Sequence, residues 1–160
     1  MGTSDVGRDP DMMSKVEELL RRAHSLREDM ENRYSAEFGQ RLREELHRAE
    51  RYKHSMSLLV ICDGASQLAN LCGRLSRLMR RTDIVGLTAA FREGKEKEAT
   101  EPERVLAAVL PETDEEGART AAERFTRHLL NMHDVRLGIA CYPGDGTDPE
   151  KLLSVAHSRA

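Results

Sequence analysis

Apolar residues recur at alternating intervals of three and four along the first part of the chain. They are Val16, Leu19, Ala23, Leu26 and Met30. This spacing places the side chains on one side of a helix and is typical of the seam of a coiled coil. A second apolar stripe follows at Phe38, Leu42, Leu46 and Ala49. A single glycine such as Gly39 costs only about 1 kcal/mol within a helix. The pattern therefore leaves open one helix over residues 11–51 or two helices joined near residues 35–39.

Four short apolar runs beyond this region predict β-strands, at residues 57–62, 83–90, 104–110 and 135–141. The first is continuous, which indicates a strand buried on both faces at the centre of a sheet. The second and third form a predicted antiparallel hairpin whose tip is the charged segment 92–101. Helical patterns over residues 65–81, 113–132 and 149–158 separate or follow the strands. The order predicts an α/β domain in which helices pack against one sheet.

Three regions follow from these patterns. Residues 1–10 are polar and contain two glycines and a proline, so we expect them to be disordered. Residues 11–35 form an amphipathic helix that contacts a partner or a second copy of the chain. Packing of this helix on its own domain is the alternative. Residues 36–160 form the α/β domain.

Composition narrows the class of protein. Charged residues make up 33% of the chain and the formal net charge is −3. Acidic and basic residues alternate, so we expect no nucleic-acid partner. No apolar run approaches the roughly 20 residues that cross a bilayer, and no signal peptide is visible. The three cysteines form no CxxC pair, and their odd number argues against a disulfide framework, so we expect a cytoplasmic protein.

Several segments, in order, resemble the GGDEF or diguanylate cyclase family over about residues 38–157. They are FxxRLxxELxRAxRY from Phe38, SLLVI from Ser57, RRTDIV from Arg80, VLAAVLPETD from Val105, GIAxYP from Gly138 and LLxxA from Leu152. The resemblance implies a GGDEF-like central mixed sheet flanked by helices, here with an N-terminal helical extension.

The chain departs from this family at the residues that the family uses for catalysis. The segment that aligns with the GGDEF signature is Pro102-Glu103-Arg104-Val105-Leu106, which has no glycine pair. Cys62-Asp63-Gly64 stands where the family has a metal-binding Asp-x-Asp. Only 20 positions separate Asp63 from Asp83, so the guanine-reading loop is missing. We therefore expect no cyclic di-GMP synthesis, no catalytic residue, no metal and no cofactor. Residual nucleotide processing is a remote alternative.

One binding motif of the family is present as Arg80-x-x-Asp83. The resemblance implies that such a motif binds cyclic di-GMP, and a guanidinium and a carboxylate suit phosphate and guanine edges. An arginine at a helix end beside an aspartate at a strand start explains the same residues without a ligand. The six histidines show no metal-ligand spacing, and Cys62 fits a core residue. We therefore predict a non-catalytic scaffold or signalling module that acts through protein–protein contact, with a cyclic di-GMP receptor as the alternative.

Overall fold

The computed structural model describes residues 10–63, 68–90, 103–129 and 134–160. Its elements are α1 (Pro10–Tyr52), β1 (Met56–Asp63), α2 (Leu68–Ser76), β2 (Ile84–Ala90), β3 (Glu103–Pro111), α3 (Glu115–Leu129), β4 (Val135–Tyr142) and α4 (Pro149–Arg159). Residues 10–52 thus form one helix, the first of the two alternatives. The chain divides into two compact units, Met1–Arg33 and Tyr34–Ala160.

The second unit contains a four-stranded sheet with the order β2-β3-β1-β4. The prediction that β1 is central is confirmed, as is the antiparallel hairpin of β2 and β3, in which Ile84 pairs with Val109. All three strand pairings are antiparallel. The prediction of a mixed sheet was therefore wrong, while the α/β class and the flanking helices are confirmed. The helices α2 and α3 each connect two strands that are not neighbours, as in a split βαβ arrangement.

The core lies on both faces of the sheet because residues 58–62 of β1 and 105–110 of β3 are continuously apolar, and successive side chains of a strand point to opposite faces. One face of β1, including Leu58 and Val60, packs with α4 and with the part of α1 that belongs to this unit. That part of α1 contributes Phe38, Leu42, Leu46 and Ala49, which are at most 5% exposed. The opposite face, including Leu59 and Ile61, packs with α2 and α3. Burial on both faces explains why the sequence of β1 shows no polar alternation.

Gly138 allows α4 to lie directly on β4. A Cβ atom at this position would lie 1.9 Å from the carbonyl oxygen of Ala156. Only glycine lets the strand and helix backbones approach this closely. The position of α4, and with it the position of His157, therefore depends on this residue.

The predicted helix over residues 65–81 ends earlier than expected, at Ser76. Residues 77–83 form turns instead, in which the N–H of Leu78 donates to the carbonyl of Leu75. The predictions for residues 1–9 and for the tip at 92–101 lie outside the described residues. Where the chain is described, no helix combines the length and the apolar character that a bilayer crossing requires.

Candidate functional site

Arg80 and Asp83 form a closed turn rather than a helix end. The backbone N–H of Arg80 donates to Oδ2 of Asp83 at 2.8 Å, and the N–H of Asp83 donates to the carbonyl of Arg80 at 3.1 Å. The two residues of the sequence motif are therefore brought together through the backbone of one and the side chain of the other. The carboxylate of Asp83 therefore already accepts a hydrogen bond within this turn, as aspartate side chains commonly do. Arg80 itself is exposed.

A shallow depression of about 350 Å³ borders Arg80. Its other lining residues come from the segment before β1, the turn before α3 and the first turn of α3: His54, Ser55, Glu112, Thr113, Asp114 and Gly117. Nδ1 of His54 lies 3.6 Å from a carboxylate oxygen of Glu112, and Oδ1 of Asp114 accepts from the N–H of Gly117. The depression therefore offers an anion one guanidinium beside two carboxylates.

Four of the five positions that the resemblance aligns with the family's catalytic signature, residues 103–106, lie in β3, and Pro102 lies outside the described residues. Arg104 is exposed and pairs with Ala89, whereas Val105 pairs with Thr88 and is 0% exposed. Val105 belongs to the core cluster that also contains Val60. A carboxylate at this position would be buried among apolar side chains, which strongly disfavours the ionised form. Asp63, at the end of β1, is half-buried and pairs with Val135 of β4.

The end of β1 also brings together three residues that sequence patterns did not identify as a group. A thiol, a carboxylate and an imidazole, from Cys62, Glu103 and His157, offer ligand atoms that all lie within 4.8 Å of one another. Nε2 of His157 lies 2.9 Å from Oε2 of Glu103. The three residues come from β1, β3 and α4, so no local spacing connects them. Among the described residues, this is the group of three or more side chains whose chemistry and geometry could hold a metal ion.

The apolar stripe predicted for the N-terminal helix is exposed in the structure. Val16, Leu19 and Leu26 have exposed fractions of 45%, 64% and 65%. Ala23 is also exposed, and the side chain of Met30 lies outside the described residues. The helix also carries ion pairs along its length, including Lys15 with Asp11 at 2.9 Å. The structure thus places the described members of the stripe on the surface, where they could contact another chain.

A further polar site joins the turn after β4 to α4. Two nitrogens of the Arg159 guanidinium each donate to a carboxylate oxygen of Asp145 at 2.9 Å, and the N–H of Cys141 donates to the same carboxylate at 2.8 Å. The hydrogen bonds from Arg159 and then from Cys141 lower the pKa of Asp145 below its ordinary value of 3.8. Burial is the main cause that raises the pKa of the Cys141 thiol. These contacts attach the turn after β4 to α4 and to the end of β4.

Comparisons with known proteins bear on the fold. The sequence matches no family model and no curated protein. A sensory box/GGDEF family protein from Caulobacter crescentus has 17% identity and a TM-score of 0.56, over 76% of this chain and 86% of that one. A DGC protein from Thermotoga maritima has 18% identity and a TM-score of 0.53, over 79% of this chain and 93% of that one. The likeness to these solved structures shows that the chain has a GGDEF-like fold.

Proposed function

We propose that the chain is a non-catalytic, GGDEF-like signalling module that acts by self-association through its N-terminal helix. The observation that carries this proposal is the exposure of the apolar stripe of α1 at its described members, Val16, Leu19, Ala23 and Leu26. Large apolar side chains that are about two-thirds exposed are unfavourable in water. Burial of a continuous stripe against another helix removes this penalty and is the usual reason for such a pattern.

A second copy of the chain is the occupant that fits the stripe. The alternating spacing of three and four places matching residues opposite one another when two identical helices pair. Residues 11–28 contain four acidic and four basic residues, so two copies carry no net charge that would repel. The acidic and basic side chains flank the stripe, and Glu18 already pairs with Arg21 and Arg22 on the same helix. We expect the pair to be held mainly by the stripe.

The absence of catalysis is supported by the position of the signature-aligned residues. Magnesium in phosphoryl-transfer sites is typically held by one or two carboxylates together with substrate phosphates. Here Val105 is a core residue and Arg104 is a cation, at positions that would have to serve the metal and the chemistry. Asp63 remains as a carboxylate at the end of β1. We expect no cyclic di-GMP when the protein is incubated with GTP and Mg²⁺ or Mn²⁺. Product that mass spectrometry detects and that Asp63→Ala abolishes would contradict this.

Self-association is tested by size-exclusion chromatography with light scattering. The double variant Leu19→Asp/Leu26→Asp places two charges in the stripe and should convert a dimer to a monomer. The matched control is Ser14→Asp/Ser25→Asp, which adds the same charge at exposed positions away from the stripe and should remain dimeric. A monomeric parent protein, or dissociation of the control as well, would overturn the proposal.

Binding of cyclic di-GMP is a second candidate function, because Arg80 of the Arg80-x-x-Asp83 motif is exposed and lines the depression described above. The carboxylates of Glu112 and Asp114 at the same depression oppose a phosphate. Calorimetry with cyclic di-GMP decides the matter. If the ligand binds there, Arg80→Ala should weaken binding at least tenfold, since a charged hydrogen bond contributes about 1.5–3 kcal/mol. The nearby exposed Arg77→Ala serves as the control. No heat of binding, or equal losses in both variants, would exclude the site.

A further inference from the structure

We propose that Cys62, Glu103 and His157 form a binding site for a transition-metal ion, with zinc as the expected occupant. The site goes beyond the proposed function because it requires neither self-association nor a nucleotide. It also differs in chemistry from a magnesium site, because two of its three ligand atoms are sulfur and nitrogen. Thiolate and imidazole select zinc and its neighbours in the transition series, whereas magnesium prefers oxygen.

The distances fit a tetrahedral ion after small side-chain movements. Zinc binds thiolate sulfur at about 2.3 Å and imidazole nitrogen or carboxylate oxygen at about 2.0–2.2 Å, so its ligand atoms lie roughly 3.3–3.7 Å apart. The three ligand atoms here lie within 4.8 Å of one another, and Nε2 of His157 lies 2.9 Å from Oε2 of Glu103. The carboxylate of Glu103 can adjust because its side chain is 41% exposed. The same exposure gives the ion a route from solvent and leaves room for water as a fourth ligand.

The scaffold fixes the other two ligands. Cys62 is 0% exposed on β1, and the side chain of His157 is 0% exposed on α4. The close approach of α4 to β4 at Gly138 holds the helix that carries His157. Two ligands on rigid, packed elements and one adjustable ligand at the surface allow a site to be formed before the ion arrives.

The two ring nitrogens of His157 have different surroundings. Nε2 faces Oε2 of Glu103 and is the ligand atom of the proposed site, whereas Nδ1 is buried and has no hydrogen-bond partner among the described residues. An imidazole binds a metal ion in its neutral form, so with Nε2 as the ligand the ring proton is carried by Nδ1. The neighbouring cation is Arg136, whose guanidinium lies 3.8 Å from Oε1 of Glu103. It faces the other carboxylate oxygen from the one nearest His157.

Binding exchanges a proton for the metal. The thiol of Cys62 loses its proton as the sulfur–metal bond forms, and the proton passes to the buffer. No electron is transferred. Calorimetric titration with ZnCl₂ in two buffers of different ionisation enthalpy should therefore show a single site that releases about one proton.

Cobalt substitution identifies the ligands. Co²⁺ added to the metal-free protein should produce visible bands of a tetrahedral ion and a near-ultraviolet thiolate-to-metal charge-transfer band. Cys62→Ser should remove the charge-transfer band. Glu103→Gln should keep this band while weakening zinc binding by at least tenfold. Loss of a single outer-shell partner already weakens metal sites by about 10–100-fold. Cys72→Ser and Cys141→Ser are the matched controls, since both retain the proposed ligands, and should bind as the parent does.

The outcomes separate the proposal from a simple hydrogen-bonded pair of His157 and Glu103. A cobalt spectrum without a charge-transfer band, or unchanged zinc affinity in Glu103→Gln, would overturn it. Loss of the band in either control would assign the metal to another thiol and also overturn it. Glu103 is exposed at the start of β3, so its variant should fold even if Cys62→Ser does not. In that case the cobalt spectrum of the parent protein and the zinc affinity of Glu103→Gln test the proposal.

Discussion

Helix α1 carries two apolar stripes with opposite environments. In the first unit, Leu19 and Leu26 are 64% and 65% exposed, whereas in the second unit Leu42 and Leu46 are 0% and 5% exposed. Both stripes have helical spacing and the same kinds of residue. The spacing determines which face is apolar, but only a neighbouring element determines whether that face is covered. The stripe in the second unit has the sheet as its cover, because Leu42 and Leu46 belong to the cluster that includes Leu58 of β1.

The largest expected difference comes from the same substitution at matched leucines. Leu42→Ala removes a fully buried side chain and should lower the free energy of unfolding by about 2–5 kcal/mol. Leu19→Ala should change it by less than about 0.5 kcal/mol, because surface substitutions rarely do more. Urea unfolding followed by far-ultraviolet circular dichroism measures both, at a protein concentration low enough to dissociate a dimer. Similar losses in the two variants would show that the first stripe is also covered within one chain.

The next effect concerns self-association and compares a residue of the exposed stripe with an equally exposed residue beside it. Leu26 lies on the proposed seam, whereas Leu20 lies beside it, and the two are almost equally exposed at 65% and 64%. Leu26→Ala should weaken dimerisation at least tenfold, since burying a leucine contributes about 1.5–3 kcal/mol. Leu20→Ala should have a clearly smaller effect. Sedimentation equilibrium provides the dissociation constants. Equal weakening by both variants would contradict a seam of alternating spacing.

The same comparison shows what could be predicted from sequence. The central position of β1 and the hairpin of β2 and β3 follow from local patterns of apolar residues, and the structure confirms them. The early end of α2 was missed because the apolar spacing of Leu75 and Leu78 continues past Ser76, whereas the backbone turns there and the N–H of Leu78 donates to the carbonyl of Leu75.

The candidate metal site was missed for a related reason. His157 and Glu103 are 54 positions apart, and only the folded arrangement of α4 and β3 brings them together. Cys62 was predicted to be a core residue, and it is buried. Its neighbours Glu103 and His157, however, make it a candidate metal ligand, which the sequence around Cys62 does not indicate. Local patterns therefore predict elements and faces, whereas groups assembled from distant elements require the tertiary structure.

Charge pairs provide a third way to sharpen the comparison. In the second unit, Asp145 accepts from both the guanidinium of Arg159 and the N–H of Cys141. Because these bonds lower its pKa below 3.8, the stabilisation is present above the unfolded-state pKa and is lost as the pH falls through the lower folded-state value. Asp145→Asn should reduce the free energy of unfolding at pH 7 by about 1 kcal/mol, after allowance for the exposure of Arg159. The two proteins should converge in stability at a pH below the folded-state pKa. Urea titrations at several pH values measure this, and a difference that persists unchanged into acid would contradict the assignment.

The smallest effect is expected at the corresponding charge in the first unit. Glu18 pairs with Arg21 and, at 3.1 Å, with Arg22. All three side chains are substantially exposed. Exposed pairs within a helix contribute about 0.3–0.5 kcal/mol, because water screens the charges and ordering the long side chains opposes the attraction. Glu18→Gln removes one charge with the same near-isosteric change as Asp145→Asn, so the two variants are matched. Helix content by circular dichroism at low and at high salt should differ little between Glu18→Gln and the parent, and the small difference should vanish at high salt. If Glu18→Gln lowered the free energy of unfolding as much as Asp145→Asn does, charge pairs rather than the apolar stripe would stabilise the first unit. The seam proposed for self-association would then lose its main support.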